Sequence, residues 1–401
     1  MESQPMSFRV SKDDFSAAVG WVARSLPTKP TQPVLRGMVI SADDDGLTLA
    51  GFDYEVSTKV SISAEIDEPG RIAVPGKLVS DIVSSLPNKP IEVRTDESKA
   101  FFRCGSSSFE LPLIPLDDYP ALPTLPEVTG RVNPSLFNEA VSQVAIAAGK
   151  DDTLPMLTGV HMKVQGKNVV MAATDRFRLA VRRFEWEPVA DDVEAALLIP
   201  AKTLQENARS IDPSLNENVE IAAGTGEKVG ADGLFGVHTR NRQTTTRMLD
   251  AEFPNYDPLL PKVHTSLATV AIGPLLDAIK RVSLVAERNA QIRMHFSEGQ
   301  VVLAAGATDS GHAEESLPCD YQVGEGAEGQ DSLLIAFNPS YLKEGLNAMP
   351  GQRVVFGFTA PSRPAIIIPE PDEAIEANSA GEFPTPGSEF TYLLMPVRLP
   401  G

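Results

Sequence analysis

One pattern of apolar spacing returns three times along the chain, which restricts it to a row of like domains or a stacked array. Each copy begins with an amphipathic helix. Phe15, Val19, Val22 and Leu26 keep i, i+4, i+7, i+11 spacing, Leu136, Ala140 and Val144 step by four, and Leu275, Ile279, Val282 and Val285 follow less strictly. A strand with a shared signature follows: Leu47-Thr-Leu-Ala-Gly-Phe-Asp53, then Val169-Val-Met-Ala-Ala-Thr-Asp175, then Val301-Val-Leu-Ala-Ala305 with Asp309 two places late. Val74-Pro75, Ile199-Pro200 and Phe337-Asn338 then lead into a second helix. Its expected apolar faces are Leu78, Ile82 and Leu86, then Leu204, Ala208 and Ile211, then Leu342, Leu346 and Met349. Each copy closes on a proline-marked segment, at Pro120, Pro254 and Pro396.

The remaining segments alternate at period two or are short β-branched runs, such as Ile62 to Ile66, Ile91 to Arg94 and Val354 to Phe358. Each copy therefore reads as two helices on an antiparallel sheet of about eight short strands. A unit of ~130 residues can bury a core of its own. The expected fold is α+β, with three tandem domains over 1–126, 127–263 and 264–401. Segment 370–389 is rich in Pro, Glu, Ala and Ser, carries six acids and no base, and reads as a mobile acidic loop of the third domain.

Several patterns of catalysis and cofactor binding fail on inspection. Gly324-Glu-Gly326-Ala-Glu-Gly329 has dinucleotide-fingerprint spacing, but that chemistry needs a strand before it and a helix after it. A strand-like run, Leu333 to Phe337, follows instead, so the stretch reads as a turn. Gly224 to Gly230 lacks phosphate-loop spacing and reads as another strand connection. The five histidines show no metal-ligand spacing, and no serine sits in a nucleophile elbow. Asp53, Asp175 and Asp309 recur in near register, but in three domains they cannot converge, so they read as turn chemistry at strand ends. No catalytic residue, metal or cofactor is expected, which disfavours a hydrolase or transferase.

Two cysteines, Cys104 and Cys319, cannot build a disulfide framework, and no apolar run approaches the ~18 residues that cross a bilayer. A cytoplasmic protein without membrane contact is expected. The formal charge of −19 argues against nucleic acid only if it is spread evenly. The six expected helices, 12–26, 76–86, 134–149, 201–211, 273–286 and 339–349, hold eight Lys or Arg and seven Asp or Glu. They total +1 and leave −20 for the rest.

The three copies, the Ala173-Thr-Asp-Arg-Phe-Arg-Leu-Ala180 run, the Asp118-Tyr-Pro and Glu252-Phe-Pro segments and the terminal Tyr392-Leu-Leu-Met-Pro-Val-Arg-Leu399 resemble one family. It is the β sliding clamp, the processivity subunit of bacterial DNA polymerase III, and the ending Leu-Pro-Gly is similar to clamps of the actinobacterial kind. The likeness runs from about Phe8 to Leu399. It implies a head-to-tail homodimer, a ring of six domains with helices lining the hole. Closure requires a heterologous contact whose rotation closes. Twelve helices packed ~9 to 10 Å apart give a circle of axes about 36 to 38 Å across, leaving roughly 26 to 30 Å for a duplex.

The resemblance further implies sequence-independent contact with double-stranded DNA. Lys29, Lys77, Lys150 and Lys202 occupy positions where members of the family contact DNA, and Arg24, Arg209, Lys280 and Arg281 are the further cations of the expected lining. Partners would be the replicative DNA polymerase, the clamp loader, other DNA polymerases, ligase and mismatch-repair proteins, each bringing a short clamp-binding peptide. The cleft for it, carried over by position, is Leu157, Thr174, Arg176, Phe177, Arg178, Leu179, Pro254, Leu259, Tyr341, Met395, Pro396, Val397, Arg398 and Leu399. Phe177 stands where many members have His, and Pro258 where some have Arg. A repeat scaffold that binds peptides without DNA is the alternative reading.

Overall fold

A computed structural model describes residues 5–225, 229–286, 290–307, 311–327 and 331–399. The three copies are real at the level of elements. Among the described residues each runs strand, helix, five strands, helix, three strands, one strand more than expected, and the third copy adds two two-residue strands, Val263–His264 and Phe383–Pro384. The helices are α1 (Lys12–Ser25), α2 (Gly76–Ser85), α3 (Pro134–Ala145), α4 (Ala201–Ser210), α5 (Ile272–Val282) and α6 (Pro339–Ala348).

Local chemistry sets their ends. Ser11 caps α1 by accepting the Asp14 amide, with Asp13 and Asp14 at the positive end of the helix dipole and Arg24 in the last turn. Asn338 caps α6 by accepting the amides of Ser340 and Tyr341, with Pro339 just inside. α3 stops at Ala145, four residues short of expectation, and tightens through i→i−3 bonds from Ala147 and Ala148. α5 likewise passes into a 3₁₀ turn, Ser283–Val285.

Two expected helix faces hold at Ile82, Leu86, Ala140 and Val144 and depart at their first position. On α2 the buried side chains are Val79, Ile82 and Val83, and Leu78 is exposed. On α3 Phe137, Ala140, Val141 and Val144 are fully buried, so Phe137 holds the place expected of Leu136. The expected strand Ile62 to Ile66 is instead the break between Val56–Ile62 and Glu65–Glu68.

The sheets run across the boundaries between copies. The chain forms two compact units, one of 1–134, 187–193 and 211–248, the other of 135–186, 194–210 and 249–401. In the first, strand Val56–Ile62 of the first copy pairs antiparallel with Arg242–Arg247, the last strand of the second copy. In the second, Arg178–Glu185 pairs with Phe390–Leu394, the last strand of the third copy, by the same rule. Each seam completes a nine-stranded sheet. Applied throughout, the rule leaves two strands unmatched among the described residues: Ser107–Pro112, the last strand of the first copy, and Gly311–Pro318, the equivalent of Val56–Ile62 in the third. Both lie at sheet edges.

Phe8, Phe15, Trp21, Ile82 and Phe102 anchor the core of the first unit. In the second, Ala172, Leu179, Val181, Ile366 and Leu393 form a cluster on one sheet face, while Tyr392 is buried on the other against α6. A Cβ at Gly345 would stand 2.3 Å from the Tyr392 ring, so only glycine lets helix and strand approach.

Segment 370–389 is not the free loop that its composition suggests. Ile375 and Phe383 pack on the apolar cluster of the second unit. Asn378 closes a turn through the amides of Ala380 and Glu382, and Phe383–Pro384 pairs with Val263–His264. Thr385 donates to Pro261 and meets His264, while Glu370 and Glu389 pair with Arg353 and Arg182. Two apolar anchors and these polar ties outweigh the effect of composition.

Candidate functional site

The expected cleft residues all belong to the second unit. Its centre is the hairpin between strands Asn168–Thr174 and Arg178–Glu185. Asp175 Oδ1 accepts the amides of Phe177 (3.0 Å) and Arg178 (3.1 Å), and the backbone at Arg176 turns left-handed with φ 77°. Thr174 Oγ1 donates to the Arg178 carbonyl at 2.7 Å and accepts from the Arg176 amide at 3.2 Å. The first copy repeats the device: Asp53 Oδ1 accepts from Glu55 and Val56, and Tyr54 has φ 74°. Turn chemistry, as read from sequence, is therefore what Asp53 and Asp175 do. Asp309 lies outside the described residues, as do parts of the two glycine-rich stretches.

Arg178 does not reach solvent. Its side chain is 5% exposed, with Nε on Asp175 Oδ2 at 3.1 Å, Nη1 on Glu344 of α6 and on the Tyr392 hydroxyl, and Cζ 4.2 Å above the Tyr341 ring. Burial opposes its charge, but Tyr392 and Glu344 more than offset that, so its pKa lies above the ordinary range. Burial, set against the attraction of Arg178, raises the Tyr392 hydroxyl, which donates to the Tyr341 carbonyl. Arg178 thus pins the turn from beneath.

The surface above is apolar. Phe177, 56% exposed, stacks on Tyr341 at 6.2 Å between ring centroids, and its carbonyl accepts from the Met395 amide. The chain beyond Leu394 continues past this ring, with the Val397 amide on the Ala336 carbonyl, and leaves the Met395 and Val397 side chains exposed. Arg176 and Arg398 are exposed, and Pro396 and Leu399 half-buried. Leu179 faces the opposite side of the sheet, opposite Leu393, in the cluster that Phe253, Tyr256 and Leu260 cover. Pro254 and Leu259 lie exposed within that covering segment, and Leu157 is buried in a 3₁₀ turn before strand Gly159–Gln165. The structure therefore joins Thr174 through Arg178 with Tyr341 and Met395 through Val397, and sets Leu179, Pro254 and Leu259 on the other face. Glu344 escaped sequence reasoning as part of this site, and Tyr392 and Leu393 were legible only as members of the terminal run. No local spacing marks them, since α6 and the last strand meet the hairpin only through the fold.

All eight expected DNA-facing cations are exposed. Arg24 closes α1, Lys77 opens α2, Lys202 and Arg209 bracket α4, and Lys280 and Arg281 end α5; Lys29 and Lys150 lie in the loops after α1 and α3. Arg281 is held bidentate by Glu315 at 2.5 and 3.0 Å. Among the described residues the other seven form no ion pair.

Residues 6–123, 131–255 and 257–380 match the N-terminal, central and C-terminal domains described for the DNA polymerase III beta subunit. The chain belongs to the β sliding clamp family. It is 44% identical to the beta sliding clamp of Streptomyces coelicolor over 99% of this chain and 100% of that protein, which places it with the actinobacterial clamps. The sliding clamp of Bacillus subtilis superposes with a TM-score of 0.87 at 25% identity, covering 99% of this chain and 100% of that one. That of Pseudomonas aeruginosa, solved bound to griselimycin, gives 0.85 at 24%, covering 99% and 100%. The function is that of a DNA sliding clamp, and the fold is three tandem clamp domains.

Proposed function

We propose that two copies close head to tail into a ring around duplex DNA, each contributing three domains with boundaries near 126 and 263. The ring tethers the replicative polymerase and other DNA-handling proteins through the Phe177, Tyr341 and Met395 surface, and acts as a processivity subunit without a catalytic site of its own. Family membership supports the outline, and the edge-strand rule supports the closure. Inside the chain, the last strand of one copy twice pairs with the fourth strand of the copy before it. One such pairing remains to be made, between Ser107–Pro112 of one protomer and Gly311–Pro318 of the other. Leaving both edges open would expose unpaired backbone groups.

The internal seams also set its register. Arg242 lies opposite Val60, and Phe390 opposite Arg182. Leu49, Met171 and Leu303 pair with Val60, Arg182 and Glu315, which makes those three positions equivalent. Ser107 should therefore lie opposite Glu315 and Ser108 opposite Glu314, each from the other protomer. Oxidising the Ser108→Cys/Glu314→Cys double variant is expected to give a covalent dimer on a denaturing gel, which neither single variant gives. A protein that sediments as a dimer but does not cross-link would refute this closure. The exposed cations of α1, α2, α4 and α5 would face the duplex, and the cytoplasm is the proposed compartment.

A further inference from the structure

The C-terminal halves of α3 and α6 border an open cavity of about 520 Å³, apart from the Phe177, Tyr341 and Met395 surface. Among the described residues its lining holds two carboxylates, Glu139 and Glu344, and no cation. Each carboxylate is fixed from below by a buried arginine of one strand: Arg182 Nη2 meets Glu139, and Arg178 Nη1 meets Glu344. The arginines do not neutralise the region, because Asp175 and Glu389 bind them too, so four carboxylates stand against two guanidiniums. Both helices also point their carbonyl ends here, which adds negative potential. Gln143, 4% exposed, ties them together by donating to the Ala348 carbonyl and to Glu139. Its Oε1 is buried and has no hydrogen-bond partner among the described residues. Ile146, Met349 and Pro350 supply an apolar wall.

We propose that this cavity binds a small organic cation, an amidinium or alkylammonium group on an apolar body, with the charged end between Glu139 and Glu344 and the body against Ile146 and Met349. Fixed carboxylates lose little freedom on binding, and charge-assisted hydrogen bonds are roughly twice as strong as neutral ones. The cavity lies within one chain and needs neither ring closure nor peptide.

Benzamidine and its neutral isostere benzamide provide the probes, titrated into the full chain by ligand-observed NMR. Benzamidine is expected to bind at least tenfold more tightly, and to weaken as salt is raised. Glu139→Gln, which keeps an acceptor for Arg182 but removes the charge, should lower benzamidine affinity severalfold with benzamide unaffected. Ile146→Trp, which fills the cavity, should abolish binding of both. Equal affinity for the two probes, no saturable benzamidine binding below about 10 mM, or unchanged binding in a folded Ile146→Trp variant would each overturn the proposal.

Discussion

Arg178 and Val56 occupy equivalent places after the Asp175 and Asp53 turns, so the chain supplies its own control for what a buried guanidinium adds. The turn forms in both copies, which shows that the carboxylate and the left-handed residue suffice for it. What Arg178 adds is attachment to α6 and to Tyr341. Replacing it by Met should leave the hairpin but strand Asp175, whose side chain is 14% exposed, and free Tyr341 and Phe177 to move. Loss of a hydrogen-bonded buried partner of this kind typically costs about 3 kcal/mol, measurable by denaturant unfolding. An unchanged midpoint would show that the pin carries no load. Arg176 tests the turn itself: with φ 77°, Arg176→Val forces a β-branched residue into the left-handed region and should cost about 1 to 2 kcal/mol. Arg176→Gly should leave stability equal or slightly raised.

At the scale of elements, the acidic segment carries a pH dependence. His264 is 2% exposed, its Nε2 meets Thr385 Oγ1 at 2.7 Å, and Nδ1 is buried without a partner among the described residues. Because Thr385 Oγ1 already donates to Pro261, it accepts from His264, which is therefore the neutral Nε2–H tautomer. Burial lowers its pKa to about 4 from an ordinary 6.5. The folded state thus binds this proton less readily than the unfolded chain. The stability is complete above pH 6.5 and is lost as pH falls toward 4, by an amount on the order of 3 kcal/mol. Thermal unfolding from pH 7 to 4 should show a decline that His264→Gln reduces. The last strand offers a second element-level test. Deleting Met395 to Gly401 spares Phe390–Leu394 and its pairing with Arg178–Glu185, and removes the exposed Met395 and Val397 side chains. Anchors in such a groove typically cost ~2 kcal/mol or more each. Affinity for a peptide carrying Gln and Leu should fall roughly a hundredfold, with thermal stability little changed. Undiminished peptide binding would remove this surface from the proposal.

Across the whole molecule, the seams decide what can be cut. A chain ending at Val263 keeps all of the second copy in sequence but loses Phe390–Leu394, Glu344 and Glu389, which leaves strand Arg178–Glu185 without its neighbour, Arg178 without Glu344 and Tyr392, and Arg182 without Glu389. Limited proteolysis should then protect 1–134 and 211–248 and digest 135–186, whereas protection of the entire second copy would show that it folds alone. Charge makes a separate prediction about retention. With +1 on the expected helices against −19 overall, few phosphate contacts are available, and each would add salt dependence. Once loaded on nicked circular DNA, the protein should resist high salt and leave on linearisation. Release from the closed circle by moderate salt would exclude a topological hold.

The threefold repeat, six helices, the turn aspartates and family membership were all legible in the sequence, because each rests on residues a few places apart whose spacing records which face is buried. Three things were not. The first buried position of α2 and α3, where Val79 and Phe137 displace Leu78 and Leu136, depends on which side chain a core has room for. The order of segment 370–389 depends on an apolar cluster supplied by strands up to about 200 residues away. The division into two units, against three copies in sequence, is set by backbone hydrogen bonds that pass from one copy to the next and leave no periodic mark. For the same reason the apolar identity of Phe177, Met395 and Val397 could be read from the chain, while the burial of Arg178 could not. Spacing reports a residue's own element, but only packing brings Glu344, Tyr392 and Tyr341 to one guanidinium.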